Sequence, residues 1–375
     1  MSAISTFGGI LSTFLLGFYL MPELGLRAPA ICFGGALVAL SAAGLWRCRR
    51  TMGAAGAVAA AAAGAMLFGA GKASDEGTTI VEIHEGILGQ IKVVDLEARD
   101  PKSGGPARSR VLLVNHIAQT VMNRDRPATS MSEYIFGMAA ALSSYPKGSK
   151  ALALGLGGGA MVRHFDKFGF DTDIVEVDAR IREVATRHFG IDPERTIHID
   201  DARHFLRRTD QTYDVIALDL FASESPPSNV LSVEGLREVR RHLRPGGTMA
   251  INFGGKIDAP EGRTSRSLVK TLREAGFDVR AMSTPSGGNI LLLATAGAHD
   301  FSTVDYSEPG ATQRLQNLER YFTNLDAIDF SDAVLLDDNH ARFETLYAEV
   351  ALSWRGAARK LTQRVFAEHG LRMMR

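Results

Sequence analysis

Residues 151–178, ALALGLGGGAMVRHFDKFGFDTDIVEVD, constrain the fold more than any other stretch of this chain. The apolar run 151–154 leads into the glycine loop Gly155-Leu156-Gly157-Gly158-Gly159. A helix with its apolar residues on one side follows, and a second apolar run ends in Glu176 and Asp178. Strand, turn, helix and strand in this order make a βαβ unit. Glycines at the turn let the backbone approach a ligand closely, and an acid about 20 residues on can grip two ribose hydroxyls. The unit is therefore shaped to hold a nucleoside, with Gly155, Gly157, Gly159, Glu176 and Asp178 as the candidate contacts.

Downstream the same alternation continues. Strands are predicted near 150–154, 172–177, 195–199, 213–219, 247–253, 278–283 and 289–296, with helices near 159–168, 179–189, 202–208, 232–243 and 263–275. This pattern argues for an α/β, Rossmann-like fold: an open, mostly parallel seven-stranded sheet covered on both faces. The segment Thr284-Pro285-Ser286-Gly287-Gly288 reads as a short hairpin, which would add one antiparallel strand at the sheet edge. Upstream, residues 73–130 read as a small β domain with runs at 79–84, 90–95 and 110–114 and strong turn chemistry at 100–106. A helix is expected over 131–143, opening a nucleoside-binding domain at 131–300. Residues 301–375 are expected to form a helical extension with a basic end at Arg355, Arg359, Lys360, Arg364, Arg372 and Arg375. That end reads either as a solvated helix face or as a membrane-surface contact.

The first 72 residues differ from the rest. Apolar runs at 3–22, 29–46 and 53–71 are each about long enough to cross a hydrocarbon core of ~30 Å. Two to three transmembrane helices are expected, the third being poor because it is mostly alanine and glycine. The cluster Arg47-Cys48-Arg49-Arg50 should sit in the cytoplasm. With two spans the remainder of the chain lies inside, with three it lies outside. A nucleoside ligand made in the cytosol favours the inside. The expectation is a multi-pass protein of a bacterial inner membrane, its catalytic domain facing the cytoplasm and the lipid bilayer among its partners.

Lysine plus arginine equals aspartate plus glutamate at 42 each, so nothing in the charge balance demands nucleic acid. The two cysteines, Cys32 and Cys48, both fall in the apolar region, and no Cys/His cluster has metal-ligand spacing. Neither a disulfide framework nor a metal centre is expected.

Ligands of an open parallel sheet bind beyond the carboxyl ends of its strands. Four such ends carry polar groups: the glycine loop; Glu176 and Asp178; Asp200, Asp201 and Ala202; and Asp219, followed by Phe221-Ala222-Ser223-Glu224-Ser225-Pro226-Pro227. Asp201 suits an adenine amino group or, equally, the N-cap of the helix that follows. Asp219 ends a buried strand, where an unpaired charge is costly, and a cationic ligand group would meet that cost.

These residues resemble the spermidine synthase (polyamine aminopropyltransferase) family. The matching text is LGLGGG, IVEVDARIREVATRHFG, IDDARHFL, YDVIALDLFASESPP and LRPGGTMAINF. FGGILSTFLLGFYLMPELGLR and LLDDNHARFE further resemble bacterial proteins in which a membrane segment is fused to such a domain. The resemblance implies a methyltransferase-like sheet whose co-substrate is decarboxylated or intact S-adenosylmethionine, with no metal. It implies that Glu176 holds the ribose and that Asp201-Ala202 reads the adenine. Gln90 and Gln119 would contact the nucleoside and the thioether. Asp219 would face the sulfonium side chain, and Glu224 would be the general base toward an amine acceptor such as putrescine. A homo-oligomer is expected.

Two departures stand out. Where soluble relatives have an aspartate after the glycine loop this chain has Ala160, and their Tyr-His-Glu appears as Glu133-Tyr134-Ile135. Loss of a carboxylate beside the donor tail weakens selection for a cationic aminopropyl group and admits an intact carboxylated donor. Aminopropyl transfer leads. Methylation or cleavage of S-adenosylmethionine, and a non-catalytic nucleoside-binding role, are the alternatives.

Overall fold

The computed structural model describes residues 2–20, 29, 31–36, 39, 77–99, 106–126, 132–220, 225–308, 314–340, 342–348 and 350–352. More than half of the second apolar run, the whole of the third, residues 100–105 of the turn and the basic end beyond 352 lie outside them. The first run is an α-helix over Ser2–Leu15 continued by a π-helical turn at Leu16–Leu20. Among the described residues no helix is long and apolar enough to cross a membrane.

Four strands, β1 (Thr78–His84), β2 (Ile91–Arg99), β3 (Pro106–Val114) and β4 (Ile117–Asn123), form an antiparallel sheet in the order 1-2-3-4. Sequence patterning predicts the first three. The fourth follows a two-residue turn, Asn115-His116, with both φ values positive (50° and 68°). Paired positive φ values at a hairpin turn match the twist of its flanking strands, and Asn tolerates them best among residues with a side chain.

The second sheet contains β5 (Lys150–Leu154), β6 (Asp171–Glu176), β7 (His198–Ile199), β8 (Tyr213–Leu218), β9 (Leu243–Gly254), β10 (Asp278–Ser283) and β11 (Asn289–Thr295). Their order is β10-β11-β9-β8-β5-β6-β7. All neighbours are parallel except β11, which runs antiparallel to both β9 and β10. The expected edge position of the antiparallel strand is thus corrected: β11 is interior and β10 is the edge. Six of the seven residues of β11, NILLLAT, are buried, whereas β10, DVRAMS, exposes both its ends. A strand apolar on both faces belongs inside a sheet, and one with charged or polar ends tolerates the rim.

Alternation along β5 sorts the core into two layers. Ala151 and Ala153 face the alanine-rich helix Glu133–Leu142, the helix Ala160–Phe168 and the inner residues Ile91, Val93 and Leu112 of the small sheet. Leu152 and Leu154 face the other layer, built by the helices Ala202–Arg208, Val233–Arg241 and Arg263–Glu274. Small residues on one face let a helix and a second sheet sit close, and large ones fill the opposite side.

Ion pairs fasten the remaining chain to this core. Arg203 bonds Glu238 and Asp338, which fixes the LLDDNHARFE segment behind the helix Ala202–Arg208. Among the described residues from 301 to 340 lie the two-stranded ladder β12 (Asp305–Tyr306) and β13 (Leu315–Gln316) and two 3-10 turns, and the described helical residues of the expected extension are 342–348 and 350–352. Glu308, whose side chain is only 4% exposed, accepts from His164 Nε2 at 2.6 Å, Lys167 Nζ at 2.7 Å and the Tyr306 hydroxyl at 2.7 Å. Although burial pushes its carboxyl up, these three donors outweigh it and hold the value down at about 2.

Removing one partner of such a buried cluster leaves an uncompensated charge, so Glu308→Gln is expected to cost about 3 kcal/mol in a neutral-pH urea melt. Because the folded-state value is depressed, this stabilisation is full above the unfolded carboxyl range and is lost as pH falls toward 2. The gap between wild type and variant should therefore narrow in melts taken below about pH 4.5. A gap that stays constant down to pH 3 would refute the assignment.

Candidate active site

The carboxyl ends of β5, β6, β7 and β8 open on one cavity of about 600 Å³. The glycine loop forms its base. Gly155 (φ +94°), Gly157 (φ +51°) and Gly159 (φ +71°) all adopt left-handed backbone. At Gly155 a β-carbon would stand 2.4 Å from the Asp219 carbonyl oxygen, so only glycine lets the β5 and β8 ends meet. Gly155 and Gly157 line the cavity, whereas Gly159 caps the following helix and packs against Ile191.

Glu176 is buried and lines the cavity. Its Oε2 accepts from the Leu156 N–H at 3.0 Å and its Oε1 from the Asp178 N–H at 2.9 Å. The carboxylate thereby ties the loop after β5 to the end of β6. Burial pushes its pKa up, against the backbone donors that pull it down. Each oxygen retains acceptor capacity for a vicinal hydroxyl.

Asp178 also lines the cavity, but it is an N-cap that accepts from the Arg180 backbone and pairs with the Arg180 guanidinium. Arg180 in turn donates to the Gly89 carbonyl, joining the small sheet to the site. Asp200, Asp201 and Ala202 line the far wall. Asp201 caps the helix Ala202–Arg208 through Oδ1, which accepts from the N–H groups of Arg203 and His204. The N-cap reading of Asp201 holds, and the same residue lines the cavity.

Asp219 sits half-buried at the floor. Its Oδ2 accepts from the Tyr134 hydroxyl at 3.0 Å and its Oδ1 from the Asn252 amide at 2.9 Å. The Asn252 oxygen accepts in turn from Asn289 Nδ2 at 2.8 Å. Both carboxylate oxygens are thus held by neutral donors, and among the described residues no lysine, arginine or histidine pairs with Asp219. Burial pushes its pKa up, with Asn252 and Tyr134 working in the opposite direction. The Tyr134 hydroxyl is pushed up as well, by burial and by the adjacent Asp219. A positive charge placed beside this carboxylate would favour its ionised form.

Gln119 lines the cavity, whereas Gln90 is not among its lining residues. The Gln90 side-chain amide turns to Glu85, donating at 2.9 Å. Leu88, two residues before Gln90, does line the cavity. Glu224 lies outside the described residues. Ala160 lines the cavity and brings no charge to it.

Sequence reasoning missed Thr120, Asn252 and Asn289, and it named Tyr134 without its bond to Asp219. The two asparagines carry a signal in hindsight, since each is a polar residue within or beside an apolar strand run (MAINFG, NILLLAT), a costly arrangement without a partner. Thr120 lies in the hairpin strand β4 and its Oγ1 accepts the Gly158 N–H at 2.9 Å. Replacing it by valine strands that buried donor, at an expected cost of about 1–3 kcal/mol. Thr120→Val should lower stability by this amount in urea melts and weaken nucleoside binding in the same preparation. Unaltered melts and affinity would show that the bond does not order the loop.

Residues 129–285 match the family model of the spermine/spermidine synthase domain. The chain is 32% identical over 144 residues to a polyamine aminopropyltransferase of Vibrio vulnificus, covering 36% of this chain and 48% of the relative. It is 33% identical over 135 residues to the N-terminal histidine N-methyltransferase of Emericella nidulans, covering 34% of this chain and 24% of the relative. These matches thus span less than half the length of either relative. A probable spermidine synthase from Corynebacterium glutamicum superposes with a TM-score of 0.46 at 22% identity, over 62% of this chain and 83% of that one. Residues 129–285, the strand ends at the cavity among them, are thus similar to the spermine/spermidine synthase domain.

Proposed function

We propose that this chain transfers an aminopropyl or related alkyl group from decarboxylated or intact S-adenosylmethionine to an amine such as putrescine. The observation that carries the reading is Asp219: a cavity-floor carboxylate held by two neutral donors and, among the described residues, left without a protein cation. The adenosyl part of the donor would lie along the glycine loop, its ribose hydroxyls on Glu176 and its adenine toward Asp201-Ala202. The acceptor ammonium first loses a proton to Asp219, because a protonated amine has no lone pair. The freed lone pair then attacks the carbon beside sulfur in line with the carbon–sulfur bond. As that bond breaks its electrons neutralise the sulfonium, methylthioadenosine leaves, and the new carbon–nitrogen bond completes the product. Positioning and one base suffice, since a sulfonium is already a good leaving group.

Ala160 favours a second reading. With no carboxylate after the glycine loop, an intact S-adenosylmethionine tail meets no repulsion there, and methyl transfer or cleavage becomes accessible. Mass spectrometry of the purified protein given both donors, with and without diamines, separates the readings. Amine-dependent methylthioadenosine supports the first; S-adenosylhomocysteine (methylation), or methylthioadenosine formed equally without amine (cleavage), would replace it with the second.

The reading includes an N-terminal anchor in a bacterial inner membrane, supported by the three apolar runs and the arginine cluster at 47–50. Residues 77–352 would face the cytoplasm. Recovery of the full chain in the soluble fraction after cell lysis would remove this part.

A further inference from the structure

The turn Gly86-Ile87-Leu88-Gly89 between β1 and β2 is shaped by what packs against it. A β-carbon on Gly86 would stand 2.5 Å from Nη1 of Arg180, and one on Gly89, at φ +105°, would collide with the Asn115 amide. The Gly89 N–H closes the turn on the Gly86 carbonyl at 3.0 Å, and Asn115 Oδ1 accepts from the Gln90 N–H at 2.9 Å. Arg180 lies in the first turn of the helix Ala179–His188 and reaches two ways. Its Nε and Nη2 grip the two oxygens of Asp178 at 2.9 and 2.6 Å, and its Nη1 donates to the Gly89 carbonyl at 3.0 Å. One planar guanidinium thus spans from the wall of the nucleoside cavity, where Asp178 stands, to the turn that carries Leu88. Leu88 lines the same cavity and is 48% exposed.

We propose that Arg180 is a positioning residue for the nucleoside: it staples the turn at 86–89 to the cavity wall, so that Leu88 packs on a bound adenosyl group and delays its release. The inference rests on the adenosyl reading of the cavity given above and adds what retains the ligand there. An apolar side chain exposed at a cavity wall gains burial when a ligand covers it, and Leu88 gains it only while its turn is held in place. That contact forms once the ligand is seated, so the staple acts on dissociation rather than on entry. The same pairing decides between the two acids at the end of β6. The Asp178 carboxylate is taken up by the backbone and guanidinium of Arg180, which leaves Glu176 to the ribose hydroxyls.

Two variants disturb the staple from opposite sides. Arg180→Met removes the guanidinium. Gly86→Ala keeps it but sets a β-carbon against Nη1, and the flexible end of the arginine side chain is free to swing aside. Binding of methylthioadenosine to the full chain is followed by surface plasmon resonance in wild type, in each variant and in the double variant. Each single change is expected to raise the dissociation rate about tenfold, the factor that one hydrogen bond to a charged group carries. The association rate is expected to stay within about twofold of wild type. The double variant should release the ligand no faster than Arg180→Met, because both changes break one connection. Wild-type release from Gly86→Ala would overturn the inference, as would effects that multiply in the double variant. Urea melts of the same preparations report on the fold. Lowered stability in Arg180→Met together with wild-type release from Gly86→Ala is the result that a merely structural arginine would give. Failure of wild type itself to bind methylthioadenosine would overturn the adenosyl reading, and the inference with it.

Discussion

Asp219→Asn is expected to abolish most turnover, by roughly 10²- to 10⁴-fold, while nucleoside affinity stays within a factor of two or three of wild type. The amide keeps the size of the side chain and can still accept from one of its two neutral neighbours. It can neither take a proton from an ammonium nor offset the charge of a sulfonium. The pH profile adds a readout that a structural role would not move. Burial holds the Asp219 carboxyl above the ordinary aspartate range, so kcat/KM should rise with pH through that elevated value. The rise marks the carboxylate form as the working one, and activity is lost as pH falls and the group protonates. In Asp219→Asn this limb should disappear, leaving the rise that belongs to the acceptor amine itself. Full turnover in the variant, with the acid limb unchanged, would assign the base elsewhere.

Glu176→Gln is expected to act on binding instead. Both oxygens of Glu176 accept backbone N–H groups, from Leu156 and from Asp178. A glutamine must turn its NH₂ group toward one of those donors, which opens the junction between the glycine loop and the end of β6. The same change removes the negative acceptor proposed for the ribose hydroxyls. Hydrogen bonds to charged groups contribute about 1.5–3 kcal/mol each, so affinity for methylthioadenosine should fall by at least about 100-fold. Titration calorimetry on folded variant protein measures it. A loss under threefold would remove Glu176 from the ribose role and leave it as a loop fastener.

The βαβ unit at 151–178 was legible because apolar runs, glycines and a terminal acid all point to one geometry there. Local pattern did not place β11 inside the sheet, because a hairpin turn specifies the pairing of two strands and says nothing about which of them meets β9. The signal lay in the strands themselves, NILLLAT against DVRAMS. The acids at the strand ends were legible as a set, since β5 to β8 bring them to one rim. Their partners were not. Tyr134 meets Asp219 across 85 positions of sequence, and Asn289 meets Asn252 across 37. Such contacts depend on where the helix Glu133–Leu142 and the strand β11 pack, and no spacing rule along the chain encodes that. Gln90 shows the reverse case: it stands in the expected place in the sequence, yet its amide turns to a neighbour in its own loop.

A structure of the protein soaked with methylthioadenosine interrogates the shared cavity most directly. The ribose hydroxyls should lie within hydrogen-bond distance of Glu176, the adenine against Asp201-Ala202, and the sulfur on the side of Asp219. A nucleoside bound elsewhere, or a cavity that stays empty at saturating ligand, would contradict the adenosyl site and the chemistry derived from it.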